Sequence, residues 1–155
     1  PTVFDLFEQF EGKDLFTVGR LDKDTEGLLL ITNDGEYAHK LTSPKHHVEK
    51  EYYVTLQKPF DSSYIAQIEK GIRINEEEQC APAKCIVEDD YHVRLIIREG
   101  KFHQVKRMIH ACENETEHLV RLRIGNLWLD ETLEAGEYRE MTDEELVLSL
   151  DREDE

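Results

Sequence analysis

The sequence predicts an α+β fold, a mostly antiparallel mixed sheet with flanking helices. The sheet signal comes from Lys50 to Leu56, rich in aromatic and β-branched residues, and from a hairpin in which Ala83 to Val87 and His92 to Arg98 turn across Glu88-Asp89-Asp90-Tyr91. The helix signal is the recurrence of Val105, Met108, Ile109 and Cys112 at helical spacing, with Tyr64, Ile65 and Ile68 on one face of a second segment. No internal repeat, low-complexity linker or Pro/Gly-rich boundary divides the 155 residues. Residues 1–150 therefore read as one domain with a real core, and the acidic tail 151–155 is expected to fray.

The elements follow in order. Asp5-Leu6-Phe7-Glu8-Gln9-Phe10 is amphipathic and predicts a short helix, broken by Gly12-Lys13-Asp14 before a strand at Leu15-Phe16-Thr17-Val18. Leu28 to Ile31 is short, continuous and apolar and ends at Asn33-Asp34-Gly35, which predicts a fully buried strand. Glu36 to Leu41 makes one or two helical turns that end near Ser43-Pro44. Pro59 stops the Lys50 strand, Asp61 or Ser62 caps a helix through Lys70, and Gly71 breaks it. Ile72 to Ile74 adds a short strand. Gly100 opens a helix from about His103 to Cys112. Leu119 to Ile124 is a strand with outward-pointing Arg121 and Arg123, followed by Leu127-Trp128-Leu129. Thr142 facing Glu145 starts the last helix with a capping box.

Composition narrows the function classes. No apolar run approaches the roughly 20 residues of a membrane helix, and no signal-peptide pattern opens the chain. Cys80, Cys85 and Cys112 are an odd set that makes no disulfide framework and suits a reducing cytoplasm. The formal charge of -16 runs against the basic footprint of most RNA binders. Its distribution matters more than its sum. Residues 143–155 hold seven acids against one Arg, whereas Lys101 to Arg107 carries three cations and no acid, and Arg121 and Arg123 follow. An acidic, solvated back with one basic face is the reading.

The chain is organised around Val18-Gly19-Arg20-Leu21-Asp22-Lys23-Asp24-Thr25-Glu26-Gly27 and the apolar run after it. Arg20, Asp22 and Asp24 sit on a connection held by scaffold, where reactive groups often lie. Spacing alone reads this as a charged surface loop. The stretch from Gly19 to Gly35, written Gly-Arg-Leu-Asp-x-Asp-Thr-x-Gly-Leu-Leu-Leu-x-Thr-Asn-Asp-Gly, closely resembles the signature of RNA pseudouridine synthases of the RsuA branch, named for the small-ribosomal-subunit enzyme. Glu49-Lys50-Glu51-Tyr52-Tyr53-Val54, Glu99 to Met108, Arg121 to Gly125 and Gly136-Glu137-Tyr138-Arg139 agree in the same order, so the resemblance covers nearly the whole chain.

That resemblance implies the pseudouridine synthase catalytic-domain fold and the isomerisation of uridine in ribosomal RNA, 16S in the small-subunit branch and 23S in related enzymes. Asp22 matches the family carboxylate, nucleophile or base on the ribose; either role needs an anion in a water-poor pocket, which a neighbouring cation favours. Lys106 matches the partner cation, where other branches carry Arg; Arg107 is the alternative, about 100° round the helix. Tyr52 matches the tyrosine that stacks on the target uracil. Arg20 resembles the arginine that enters the space left by an extruded base. Lys50, Lys101, His103, Gln104, Arg107, Arg121 and Arg123 are the candidates for phosphate or base-edge contact.

The isomerisation moves no net electrons and no phosphoryl group, so neither cofactor nor metal is expected. A metal-dependent hydrolase using Asp22, Asp24, Asp34, His46 and His47 is the competing enzyme class, although no HExxH or paired Cys/His spacing is present. A non-catalytic RNA-binding module is the third reading. The expected partner is ribosomal RNA or an assembling small subunit, met by a cytoplasmic monomer with no membrane contact. Family members usually carry an N-terminal S4-type domain and an Asn-Lys-Pro strand ahead of the position where this sequence starts at Pro1.

Overall fold

The computed structural model describes residues 15–18, 21, 23, 25–43, 48–101 and 103–150, for Phe16 the backbone alone. Among these residues a six-stranded sheet is built on an antiparallel central pair, β4 (Lys50–Leu56) and β7 (Thr116–Ile124). Beyond β4 lie β6 (His92–Ile97) and then β5 (Lys84–Asp89), joined by the expected hairpin. On the other side of β7, β2 (Glu26–Gly27) runs parallel to it and β8 (Leu127–Trp128) antiparallel. The sheet is mixed and mostly antiparallel, as predicted. A separate ribbon pairs β1 (Phe16–Thr17) with β3 (Ile31–Thr32).

Four described helices pack on this frame: α1 (Gly35–Thr42), α2 (Ser63–Lys70), α3 (Gln104–Ala111) and α4 (Asp143–Leu150). Their starts follow local chemistry. Asp34 Oδ1 accepts from the backbone N–H groups of Glu36 and Tyr37 at the head of α1. Asp61 Oδ1 accepts from Ser63 N before α2, while the Ser62 side chain makes no capping bond. At α4 the capping box closes as expected, Thr142 N donating to Glu145 Oε1 at 2.9 Å and Glu145 N to Thr142 Oγ1 at 3.1 Å.

Two apolar clusters form the core. Val54, Leu56, Val93, Leu95, Ile97 and Leu119 of the sheet pack against Tyr64 and Ile68 of α2 and Val105, Met108 and Ile109 of α3. Val18, Leu30, Leu41, Val48, Ile124 and Leu127 make the second, with α1 and α4 over it.

Two predicted strands are corrected. Leu28 to Ile31 is not one buried strand: only its last residue joins β3, while Leu28 N donates to Arg121 O and Val18 N to Leu30 O, both at 2.8 Å. The segment passes from the main sheet to the ribbon, so its backbone bonds are shared between two neighbours and neither ladder continues through it. Ile72 to Ile74 is reduced to an isolated bridge between Arg73 and Gln79. The predicted helix at 5–10 and the tail 151–155 lie outside the described residues.

The connection to β2 depends on Gly27. Its φ is +115°, and a Cβ there would lie 2.2 Å from the backbone oxygen of Arg121. Only a residue without a side chain lets the two backbones approach. Gly27→Ala is expected to cost roughly 3 kcal/mol and to detach β2 from β7, measured as a lower urea midpoint. A midpoint equal to wild type would mean that this close approach is not required.

Candidate active site

The geometry of the site starts from a bulge. Glu51 pairs with Arg123 and Tyr52 with Arg121, so Leu122 is an extra residue on β7. Cross-strand partners share a face. Arg121 therefore joins Tyr52 and Lys50 on the helix-bearing face, and Arg123 joins Glu51 on the opposite one. Simple alternation would have placed both arginines together.

On the helix-bearing side, Tyr52 is half-buried against the first apolar cluster, and Lys50 follows it toward Val48 of the second. Lys50 is 6% exposed and Arg121 2%. Tyr52, Lys50 and Arg121 thus make a polar seam between two apolar clusters. Arg121 Nε donates to Leu28 O at 2.8 Å, and its Nη2 is buried without a partner among the described residues. Lys50 Nζ reaches Val48 O only at 3.5 Å. Burial, and then the charge of Arg121, push the Lys50 ammonium down to about 8.

The anchors at Val18 and Leu28 bound the segment that carries the motif acid and bring its far end onto Arg121. Asp22 and Arg20 themselves lie outside the described residues, as do Asp24, His46 and His47. Asp34 Oδ1 accepts the two N–H groups that cap α1.

The basic stretch before and within α3 has its own support. Gln104 is buried; its Oε1 accepts from Lys101 N at 3.0 Å and its Nε2 contacts Met108 Sδ at 3.6 Å. His103 takes a left-handed φ of 50° and is exposed, which re-aims the chain into the helix. Lys101 and Lys106 are half-buried. Arg107 Nη2 donates to Glu78 Oε1 at 3.2 Å, and the Asn75 amide and then Arg107 hold the Glu78 carboxyl below its ordinary range.

On the opposite face every nitrogen of Arg123 is engaged: Nε with Glu51 at 2.9 Å, Nη2 with Glu49 at 3.1 Å and Nη1 with Gly125 O at 2.6 Å. Arg98 and Arg94 complete the two glutamates, and the Trp128 ring lies 5.5 Å from the Arg123 guanidinium carbon. The expectation of outward-pointing arginines is therefore corrected. Arg123 donates from all three of its nitrogens, Gln104 accepts from Lys101 N and donates to Met108 Sδ, and Lys50 and Arg121 are covered.

A profile of the RNA pseudouridylate synthase family matches residues 1–111. The chain belongs to that family. It is 48% identical over 147 residues to the ribosomal small subunit pseudouridine synthase A of Haemophilus influenzae, covering 94% of this chain and 63% of that one. For the protein of the same name from Vibrio cholerae the values are 49% over 147 residues, 94% and 64%. A solved pseudouridylate synthase superposes with a TM-score of 0.91 at 48% identity, over 96% of this chain and 65% of the other. The chain thus spans a little under two thirds of these relatives. An archaeal box H/ACA Nop10–Cbf5 complex matches with a TM-score of 0.58 at 18% identity, over 85% of this chain and 47% of that one, which shows a shared fold.

Within this family fold, Glu49 and Glu51 were missed as determinants of the site. The signal was available: in Glu49-Lys50-Glu51-Tyr52, strand alternation puts both acids on the face away from Lys50 and Tyr52. Arg123→Met leaves the two carboxylates short of a cation in a dry setting and is expected to cost about 3 kcal/mol in urea unfolding. The double variant with Glu51→Gln should lose less than the sum of the single changes. A single-variant loss near zero would show that the network does not hold this face.

Proposed function

We propose that residues 1–150 are the catalytic domain of an enzyme that isomerises uridine to pseudouridine in ribosomal RNA, with 16S rRNA as the target. The observation that carries this is the meeting of the motif blocks: Tyr52 lies on a polar seam, the segment bearing Asp22 ends on the neighbouring Arg121, and the family match spans both. The relatives named above are small-subunit synthases.

In this reading the target nucleoside leaves its helix, Arg20 takes the space it vacates, and the uracil stacks on Tyr52. The bond from ribose C1′ to uracil N1 breaks, the base turns, and C1′ bonds to C5. The C5 proton departs and N1 takes one up, so atoms and charge balance without a redox partner. Asp22 acts on the sugar as nucleophile or as base on the ribose, two routes that share an ionised carboxylate. Lys106 keeps it ionised. Lys101, His103 and Arg107, on or beside α3, meet the RNA backbone. Among the described residues no helix is long and apolar enough to cross a membrane, and we assign a cytoplasmic monomer acting on rRNA or an assembling small subunit.

The test is tritium release from 16S and 23S rRNA labelled at uridine C5, with pseudouridine mapped by carbodiimide-dependent primer extension. Wild-type protein should release tritium from 16S at one site. Asp22→Asn should lower the rate by roughly a thousandfold or more while leaving the unfolding midpoint in place. Release from neither RNA, or an Asp22→Asn variant at full rate, rejects the reading. At position 52, Tyr52→Phe should keep RNA affinity and Tyr52→Ala should lose it; equal losses would assign the hydroxyl rather than the ring.

A further inference from the structure

Lys50 and Arg121 are two buried cations side by side, and strand alternation directs Glu49 and Glu51 away from them. Glu49 and Glu51 lie on the opposite face with Arg123, Arg98 and Arg94. Among the described residues no carboxylate pairs with either cation. Like charges in a low-dielectric seam repel, and an unpaired buried charge is unfavourable. Such an arrangement persists where function needs it.

What these groups offer selects their ligand. Among the described residues Arg121 Nη2 is a buried donor with no acceptor, and Lys50 Nζ makes only the long contact to Val48 O. Both are donors and neither is an acceptor, so the complement is acceptor-rich and negatively charged. A uracil edge would supply an oxygen but leave both charges uncompensated. A phosphodiester supplies two unshared oxygens and one negative charge. The register places the pair next to the nucleoside: Arg121 is the cross-strand partner of Tyr52, and Lys50 is two residues along on the same face.

We propose that Lys50 and Arg121 together hold one phosphodiester group of the substrate RNA strand, beside the nucleoside that stacks on Tyr52. This rests on the RNA-modifying reading above and adds a site to it. The pair is covered in this structure, so the strand reaches it by displacing what lies over it. An incoming phosphate offsets the repulsion between the two cations and favours the protonated Lys50 that burial and Arg121 disfavour. Arg123 is excluded from the role because each of its nitrogens already has an acceptor.

The experiment compares the full chain with Lys50→Met and Lys50→Arg. Urea unfolding of the free proteins is read beside fluorescence anisotropy of a labelled 16S fragment across a series of NaCl concentrations. Lys50→Met should raise the urea midpoint, because an unpaired buried charge is gone. It should also weaken RNA binding, with the plot of log K against log salt shallower by about 0.7, the loss of one contact to a single-stranded phosphate. Lys50→Arg should keep the wild-type slope. A Lys50→Met midpoint below wild type overturns the proposal, because the lysine then has a partner within the protein. An unchanged salt slope also overturns it, including when turnover falls, since the charge would then act on the base rather than the backbone. Binding slopes are measured without turnover. Failure of tritium release from wild type therefore sinks the isomerase reading, whereas normal release with an unchanged Lys50→Met slope sinks the phosphate site alone.

Discussion

One extra residue in β7 sets the electrostatics of the whole sheet. Because Leu122 has no opposite number on β4, Arg121 and Arg123 diverge to opposite faces although they are two residues apart. A bulge breaks the strict alternation of a strand and increases its local twist. Here it separates two cations that regular pairing would crowd onto one surface. Each then meets a different environment, and the division between the ion-paired face and the face that carries Tyr52 follows from that separation.

The two faces treat buried charge in opposite ways. Behind the sheet, Glu49 and Glu51 meet Arg123, Arg94 and Arg98, so guanidinium forks satisfy carboxylates with short, directed bonds. Desolvating such a set is costly, but mutual attraction offsets most of the cost when every lone pair is used. On the front, Lys50 and Arg121 have no such compensation among the described residues, and the lysine gives up proton affinity in response. Two buried cations thus lie on the side that carries the signature tyrosine. The protein as a whole is strongly acidic, with a net charge of -16, so any attraction for a polyanion must be local in origin.

Ordered neighbours flank the elements that carry the motifs. The segment carrying the motif acid is tied at one end to the β1–β3 ribbon and at the other to β7. Gly27 permits that second contact because no Cβ intervenes. The loop before α3 is tied by Gln104, whose amide oxygen holds the backbone of Lys101. Asn114 does the same behind α3, holding both the N–H and the carbonyl of Lys58. Gln104 and Asn114 are buried polar groups with their hydrogen bonds made, which is how such a side chain fixes the backbone it holds.

The sequence by itself determined the fold class, the family, the hairpin, the helices at α2 and α3, and the α4 capping box, because these depend on local periodicity, local turn chemistry and unbroken motifs. It also marked Tyr52 and Asp22 through the motifs alone. It misjudged Leu28 to Ile31, since an apolar run reads the same whether it pairs along its length or hands over between two sheets. It placed Arg121 and Arg123 in solvent because a bulge has no signature in Leu-Val-Arg-Leu-Arg-Ile. Only the tertiary structure decided which face each charge occupies and whether it finds a partner there. Those outcomes depend on the register between β4 and β7, strands separated by some sixty residues of chain. A shift of one residue in that register reverses the face of every side chain beyond it.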